Sequence, residues 1–150
     1  MRATELMERP VMDLATATTI GRIDDISVDP VTRQVVGLHL AKTPGRATWL
    51  AWERLTAVGA DAVTVPDGTV LTEPPAGSTA GRLRAGKALG GRVLTDEGYE
   101  LADLADVEID VEAALVTTLV LADGTEVSAD RLRGLGRHAT VVADPSRTTS

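Results

Sequence analysis

The sequence contains no cysteine and no phenylalanine. Without cysteine there is no disulfide framework, no zinc–thiolate centre and no thiol nucleophile. Aromatic residues make up 2% of the chain, namely Trp49, Trp52 and Tyr99. The core must therefore be built from Val, Leu, Ile and Ala, with each buried branched side chain worth about 1.5–3 kcal/mol. Long apolar runs are also missing. The opening MRATELMERP lacks the continuous apolar stretch of a signal peptide, and no segment has the length of a membrane span. A cytoplasmic chain without membrane insertion is the expectation. Basic residues are in deficit, 15 against 22 acidic, for a net charge of -7. That sign argues against DNA and against generic nucleic-acid binding, which needs Lys and Arg to displace counterions. Much Ala, Arg, Gly, Val and Asp suits a GC-rich bacterial genome.

What is present is a repeat, and a repeat decides the fold reading before anything else. At an offset of 81, Ile20, Ile23, Asp25, Ile26, Val28 and Asp29 meet Leu101, Leu104, Asp106, Val107, Ile109 and Asp110. Val35, Leu38 and Leu40 then meet Val116, Leu119 and Leu121. Beyond a longer first-copy loop, AKTPGRAT against ADGT, the offset falls to 77. Leu50, Leu55, Gly59 and Val65 now meet Val127, Leu132, Gly136 and Val142. The entries MRATELMERPV and LRAGKALGGRV are also alike. The copies span 1–66 and 84–145. Residues 67–83, rich in Pro, Gly, Ser and Thr, read as a linker. Residues 146–150 read as a disordered tail. Acidic excess sits in the second copy: residues 84–150 hold twelve acidic and seven basic groups, against eight and seven in 1–66.

Short strands with frequent turn signals point to an all-β chain of two small antiparallel β-barrels in tandem. The first copy offers strands at 11–14, 19–28, 35–41, 48–51 and 62–65. Asp29-Pro30-Val31-Thr32 reads as a turn. Asp123-Gly124 reads as a type I′ hairpin turn. Trp52–Leu55 and Ala129–Leu132 read as single helical turns. Ile23 and Ile26 differ in parity, as do Leu104 and Val107, so alternation cannot bury both. A β-bulge at Asp24-Asp25 and another at Ala105-Asp106 would restore them to the core.

The first copy resembles the PRC-barrel family, named for the cytoplasmic part of the photosynthetic reaction-centre H subunit. The residues that carry the resemblance are Pro10-Val11, the run Ile20–Ile26, Val28-Asp29-Pro30, Val35-Val36-Gly37-Leu38, Leu50-Ala51-Trp52-Glu53 and Val58-Gly59. It covers nearly all of 2–66. Over 84–142 it is weaker, since the second copy lacks the Gly at 102, the Pro at 111 and the Trp. The resemblance implies a small barrel used as an adapter, with no family-wide catalytic or cofactor residues. Its relatives include a domain of a ribosomal RNA maturation factor.

Catalytic signals are weak. Gly81–Ala88 mimics a phosphate-binding loop, but Ala88 stands where a Ser or Thr must reach magnesium, and no apolar strand precedes it. His39 and His138 do not coincide in the repeat and have no motif partners, so both read as surface residues. The run from Asp96 to Glu112 holds eight acidic residues and no basic one. A strand from Tyr99 to Val111 would put Asp106, Glu108, Asp110 and Glu112 on one face. That face reads as solvated and edge-protecting, or as a docking surface for a basic partner. Calcium ranks behind both, because no spaced ligand loop is present. Trp52 reads as core or inter-barrel packing, and Trp49 either as an exposed anchor with Arg46 and Arg54 on its rim or as a lid over one end of a small barrel. The reading is a non-enzymatic adapter without cofactor or metal. It would bind another protein, and itself as a homodimer, through Trp49, Arg54, Asp106, Glu108, Asp110 and Glu112. Two competing readings stay open. One is an RNA- or ribosome-associated maturation factor, for which Arg82, Arg84, Lys87 and Arg92 offer the one basic group. The other is a small-ligand-binding protein with its site between the barrels.

Overall fold

In the computed structural model the chain is predominantly β. The structure describes residues 1–29, 31–74, 83–84, 88–135 and 139–143, with only the backbone at 83, 84 and 135. A single helical turn, α1 (Ala3–Leu6), precedes the strands of the first half. These are β1 (Pro10–Asp13), β2 (Thr18–Val28), β3 (Val35–Ala41), β4 (Trp49–Ala51), β5 (Ala57–Val58) and β6 (Val63–Val65). After β7 (Leu83–Arg84), the second half has β8 (Arg92–Thr95), β9 (Glu100–Leu101), β10 (Leu104–Asp110) and β11 (Leu115–Leu121). It ends with β12 (Glu126–Ser128), β13 (Leu132–Leu135) and β14 (Ala139–Val142). Among the described residues no helix is long and apolar enough to cross a membrane.

The repeat reappears as topology. The first half forms one sheet in the order β4-β3-β2-β1-β6-β5. The second forms β12-β11-β10 and β9-β8-β14-β13. Joined end to end, these give the same order. Pairing is antiparallel except for β1 with β6 and β8 with β14, which are parallel in both halves. The expectation of purely antiparallel units is corrected to that extent: in each half the last strand returns beside the first by a crossover.

Both expected bulges are present. The β2–β3 register skips Asp24, and the β10–β11 register skips Ala105. Ile23, Ile26, Leu104 and Val107 are all fully buried as a result. The Asp29 turn forms as expected, its Oδ1 accepting the Val31 and Thr32 amides at 2.8 and 3.3 Å. Asp110 does the same for Glu112 and Ala113, both at 3.1 Å. The single helical turns are 3-10 turns at Trp52–Arg54 and Ala129–Arg131. In the first half this turn links β4 to β5, the two outer strands of the sheet.

Three expectations need correction. The strand over 99–111 is interrupted between β9 and β10, at Ala102 and Asp103. Gly21, the counterpart of Ala102, lies where a methyl would press on Thr43 and Leu40 at 3.0 and 3.3 Å. The glycine lets β2 run on, and where alanine stands the strand parts. Second, only Gly124 has a positive φ, 89°, and Leu121 donates to the Thr125 carbonyl at 2.8 Å. This is a three-residue loop closed by a glycine bulge, not a type I′ turn. Third, the linker begins as part of the fold. Gly68–Val70 forms a 3-10 turn capped by Asp67, Leu71 packs on the core, and Thr72 pairs with Trp49. Leu83 and Arg84 pair with Val28 and Ser27. Residues 75–82, His138 and the tail 146–150 lie outside the described residues.

The two halves share one apolar cluster, which runs from Ala3 and Leu6 through Ile26 and Leu50 to Leu104, Leu119 and Val142. Each half also receives the entry segment of the other. Arg2 bridges Glu108 antiparallel, as Arg84 pairs with Ser27. The halves cross at Gln34 and Leu115, where Val35 donates to the Ala114 carbonyl and Val116 to the Arg33 carbonyl, at 2.7 and 2.9 Å.

Candidate functional site

The aromatic residues of the first half gather at this crossing. Trp49 opens β4 opposite His39, and their rings meet edge to face at 5.1 Å. The Trp49 ring lies over Gly37, where an added Cβ would fall 2.5 Å from it. Glycine at 37 is what lets a large ring lie flat on the sheet. Trp49 is therefore buried, at 5% exposure, which corrects its reading as an exposed anchor.

Trp52 takes the place intended for Trp49. It starts the 3-10 turn after β4 and is only half-buried. Turn geometry breaks strand alternation there, so the side chain packs on the margin of the core, as its reading as core or inter-barrel packing expects, and leaves part of its surface exposed. Two depressions flank it. The larger, about 400 Å³, is lined by Gln34, Val35, Val36, Trp49, Ala51, Trp52, Glu53 and Ala114. The smaller, about 150 Å³, is lined by Trp52, Leu55, Thr56, Ala57, Val58 and Val111. Val111 and Ala114 belong to the β10–β11 turn, so each depression takes a wall from both halves. In the second half Ala129 stands at the place of Trp52 and is buried, and Glu126 stands at the place of Trp49.

The acidic residues do not form one face. Asp106 is buried at 6% exposure, because the bulge turns it inward. Its Oδ1 accepts the Val107 and Thr4 amides at 2.8 and 3.2 Å, and its Oδ2 accepts the Thr4 hydroxyl. Its counterpart Asp25 is buried too and accepts the Ile26 amide at 2.7 Å. Glu108 is half-buried, its Oε1 3.0 Å from Arg2 Nε and its Oε2 3.5 Å from the Met1 ammonium. Asp106 and Glu108 thus fasten the entry segment. Asp110 and Glu112 are exposed on the turn that carries Val111 and Ala114. Arg54 is exposed at the end of the Trp52 turn. Of the residues expected to form the site, Trp49 lines the larger depression beside Trp52, Arg54 ends the Trp52 turn, and Asp110 and Glu112 flank Val111 on the opposing turn; Asp106 and Glu108 lie at the entry segment instead.

Sequence reasoning missed Gln34, Val36, Val111 and Ala114. Only the recurrence of the turn in both copies hinted that it sits at a junction. Of the basic group, Arg92 faces Glu100 at 3.7 Å on the surface. Arg82 and Lys87 lie outside the described residues, as does most of the phosphate-loop mimic. Among the described residues no group of three or more His, Asp or Glu side chains is arranged to hold a metal ion. No family model matches this sequence, and no curated protein matches it.

Proposed function

We propose that the chain is a tandem pair of PRC-barrel-like units that works as a non-enzymatic cytoplasmic adapter, docking another protein at the junction of its halves. The supporting observation is Trp52, half-buried between two depressions whose walls come from both halves. Tryptophan in such a setting gives a large contact area with a polar N–H at its edge, the residue type richest in interface hot spots. The shared strand order, and the 3-10 turn joining the outer strands of the first sheet, support the barrel reading. Glu53, Arg54, Asp110 and Glu112 supply a polar rim of the kind that surrounds an interface core.

The test is co-purification from native cytoplasm with the full chain and with Trp52→Ala, the tag placed at the C-terminus. A partner held stoichiometrically by the parent chain should bind the variant at least tenfold more weakly, while the unfolding midpoint barely moves. A partner retained equally by a folded Trp52→Ala chain would place the docking surface elsewhere. The larger depression lies at the low end of the range of about 300–1,000 Å³ for small-ligand sites. A small molecule in the eluate, displaced by the same substitution, would therefore replace the adapter reading with a carrier.

A further inference from the structure

The contacts between the halves are reciprocal. The first entry segment adds to the free edge of β10 at Glu108, and the second, β7, adds to the matching edge of β2 at Ser27. At the crossing, Gln34 and Leu115 are counterparts of each other, so the pair lies on an approximate two-fold axis. An interface built this way is self-complementary: each half presents to the other the surface it receives. The one covalent link between the halves is the segment after Thr72.

We propose that this interface also accepts a second copy of the chain, giving a closed dimer in which each entry segment completes a half of the other molecule. The contacts are the same within one chain and between two, so effective concentration selects between the forms. A short covalent connection holds what it joins at an effective concentration of the order of mM. At about 10 μM protein the closed single chain is then favoured roughly a hundredfold. The balance reverses when the connection cannot span. From Thr72, beyond β4, to β7 the path along the sheet crosses β4, β3 and β2. Four strand spacings amount to about 19 Å. The inference does not rest on the adapter reading.

The absence of native cysteine makes the test direct. Arg2→Cys/Glu108→Cys places two thiols across an antiparallel bridge, within the usual reach of a disulfide. Deleting residues 75–82 from this variant leaves three Cα steps between Thr72 and Leu83, about 11 Å. Oxidised and run without reductant, the shortened chain should be a covalent dimer, eluting at twice the chain mass. The full-length variant should close its disulfide within one chain when refolded at about 10 μM, and give covalent dimer when refolded near mM. A folded, internally bridged monomer from the shortened chain would overturn the proposal. If the shortened chain fails to fold, the full-length arm decides: internally bridged monomer alone at both concentrations overturns it equally.

Discussion

Where the first half runs β2 unbroken from Thr18 to Val28, the second parts its counterpart at Ala102 and Asp103. Where the first half lays Trp49 on Gly37 and leaves Trp52 half-exposed, the second has Glu126, Thr118 and a buried Ala129. The aliphatic core positions and the turn carboxylates match, and so does the strand order. The aromatic positions that differ lie at the crossing. Burial and turn chemistry constrain the interior of both copies alike, because one register slip exposes a whole apolar set. The junction surface is under no such constraint, so it is where one copy carries an aromatic site and the other does not.

The sharpest way to break this comparison is at Leu6, which shares its place with Ala88; both are fully buried. Leu6→Ala should lower stability by about 2–5 kcal/mol. Ala88→Leu should also destabilise, by about 1–3 kcal/mol, because its pocket is sized for a methyl. Since one apolar cluster spans both halves, urea unfolding followed by Trp fluorescence and by far-UV circular dichroism should shift as a single transition. Two separate transitions, with only one displaced, would show that the halves unfold independently. The next effect is at Gly37. Gly37→Ala drives a methyl to 2.5 Å from Trp49 and 2.8 Å from the Leu50 carbonyl oxygen. It should cost about 1–3 kcal/mol and move Trp emission to the red. Thr118→Ala at the equivalent place should cost under about 1 kcal/mol. Equal losses would mean that Trp49 does not depend on Gly37.

Much of this fold could be read from residue pattern. Parity at Ile23 and Ile26 required a bulge, and Asp29 marked its turn, because both signals are local. The site was harder to read. Strand alternation gave the two tryptophans opposite faces, but the 3-10 turn at Trp52 and the glycine under Trp49 reversed their exposure. Asp106 looked like part of an outer face, yet the same bulge that buried Val107 turned its carboxylate in to Thr4. Pairing between Arg2 and Glu108 joins residues 106 apart, and no local pattern encodes such a contact. The matched loops of the two copies carried that information only once folded side by side.

A smaller comparison lies in the turns. Ala17 and Gly98 are counterparts, and both are left-handed, with φ of 57° and 88°. A Cβ in that region costs about 1 kcal/mol, which glycine avoids. Gly98→Ala should therefore destabilise by about 1 kcal/mol, and Ala17→Gly should stabilise by up to the same amount, as read from urea midpoints. A loss from both changes would mean that the first-half turn is held by something other than its backbone angle.

The smallest effects belong to two exposed turn carboxylates, one after each half's strands begin to close. The Thr69 hydroxyl and amide hold Asp67 below the usual carboxylate range, the amide lying at 2.8 Å. The Thr125 amide, at 2.9 Å, does the same for Asp123, with help from the Thr125 hydroxyl. A carboxyl whose pKa is lower folded than unfolded stabilises the fold above the unfolded value, and that contribution disappears as pH falls through the folded one. Asp67→Asn and Asp123→Asn should each lower the urea midpoint slightly at neutral pH. Their curves should converge on that of the parent chain in acid, where the parent carboxyls are protonated as well. A gap that persists unchanged into acid would assign the loss to turn geometry rather than to charge, and would separate the two turns if only one of them closes.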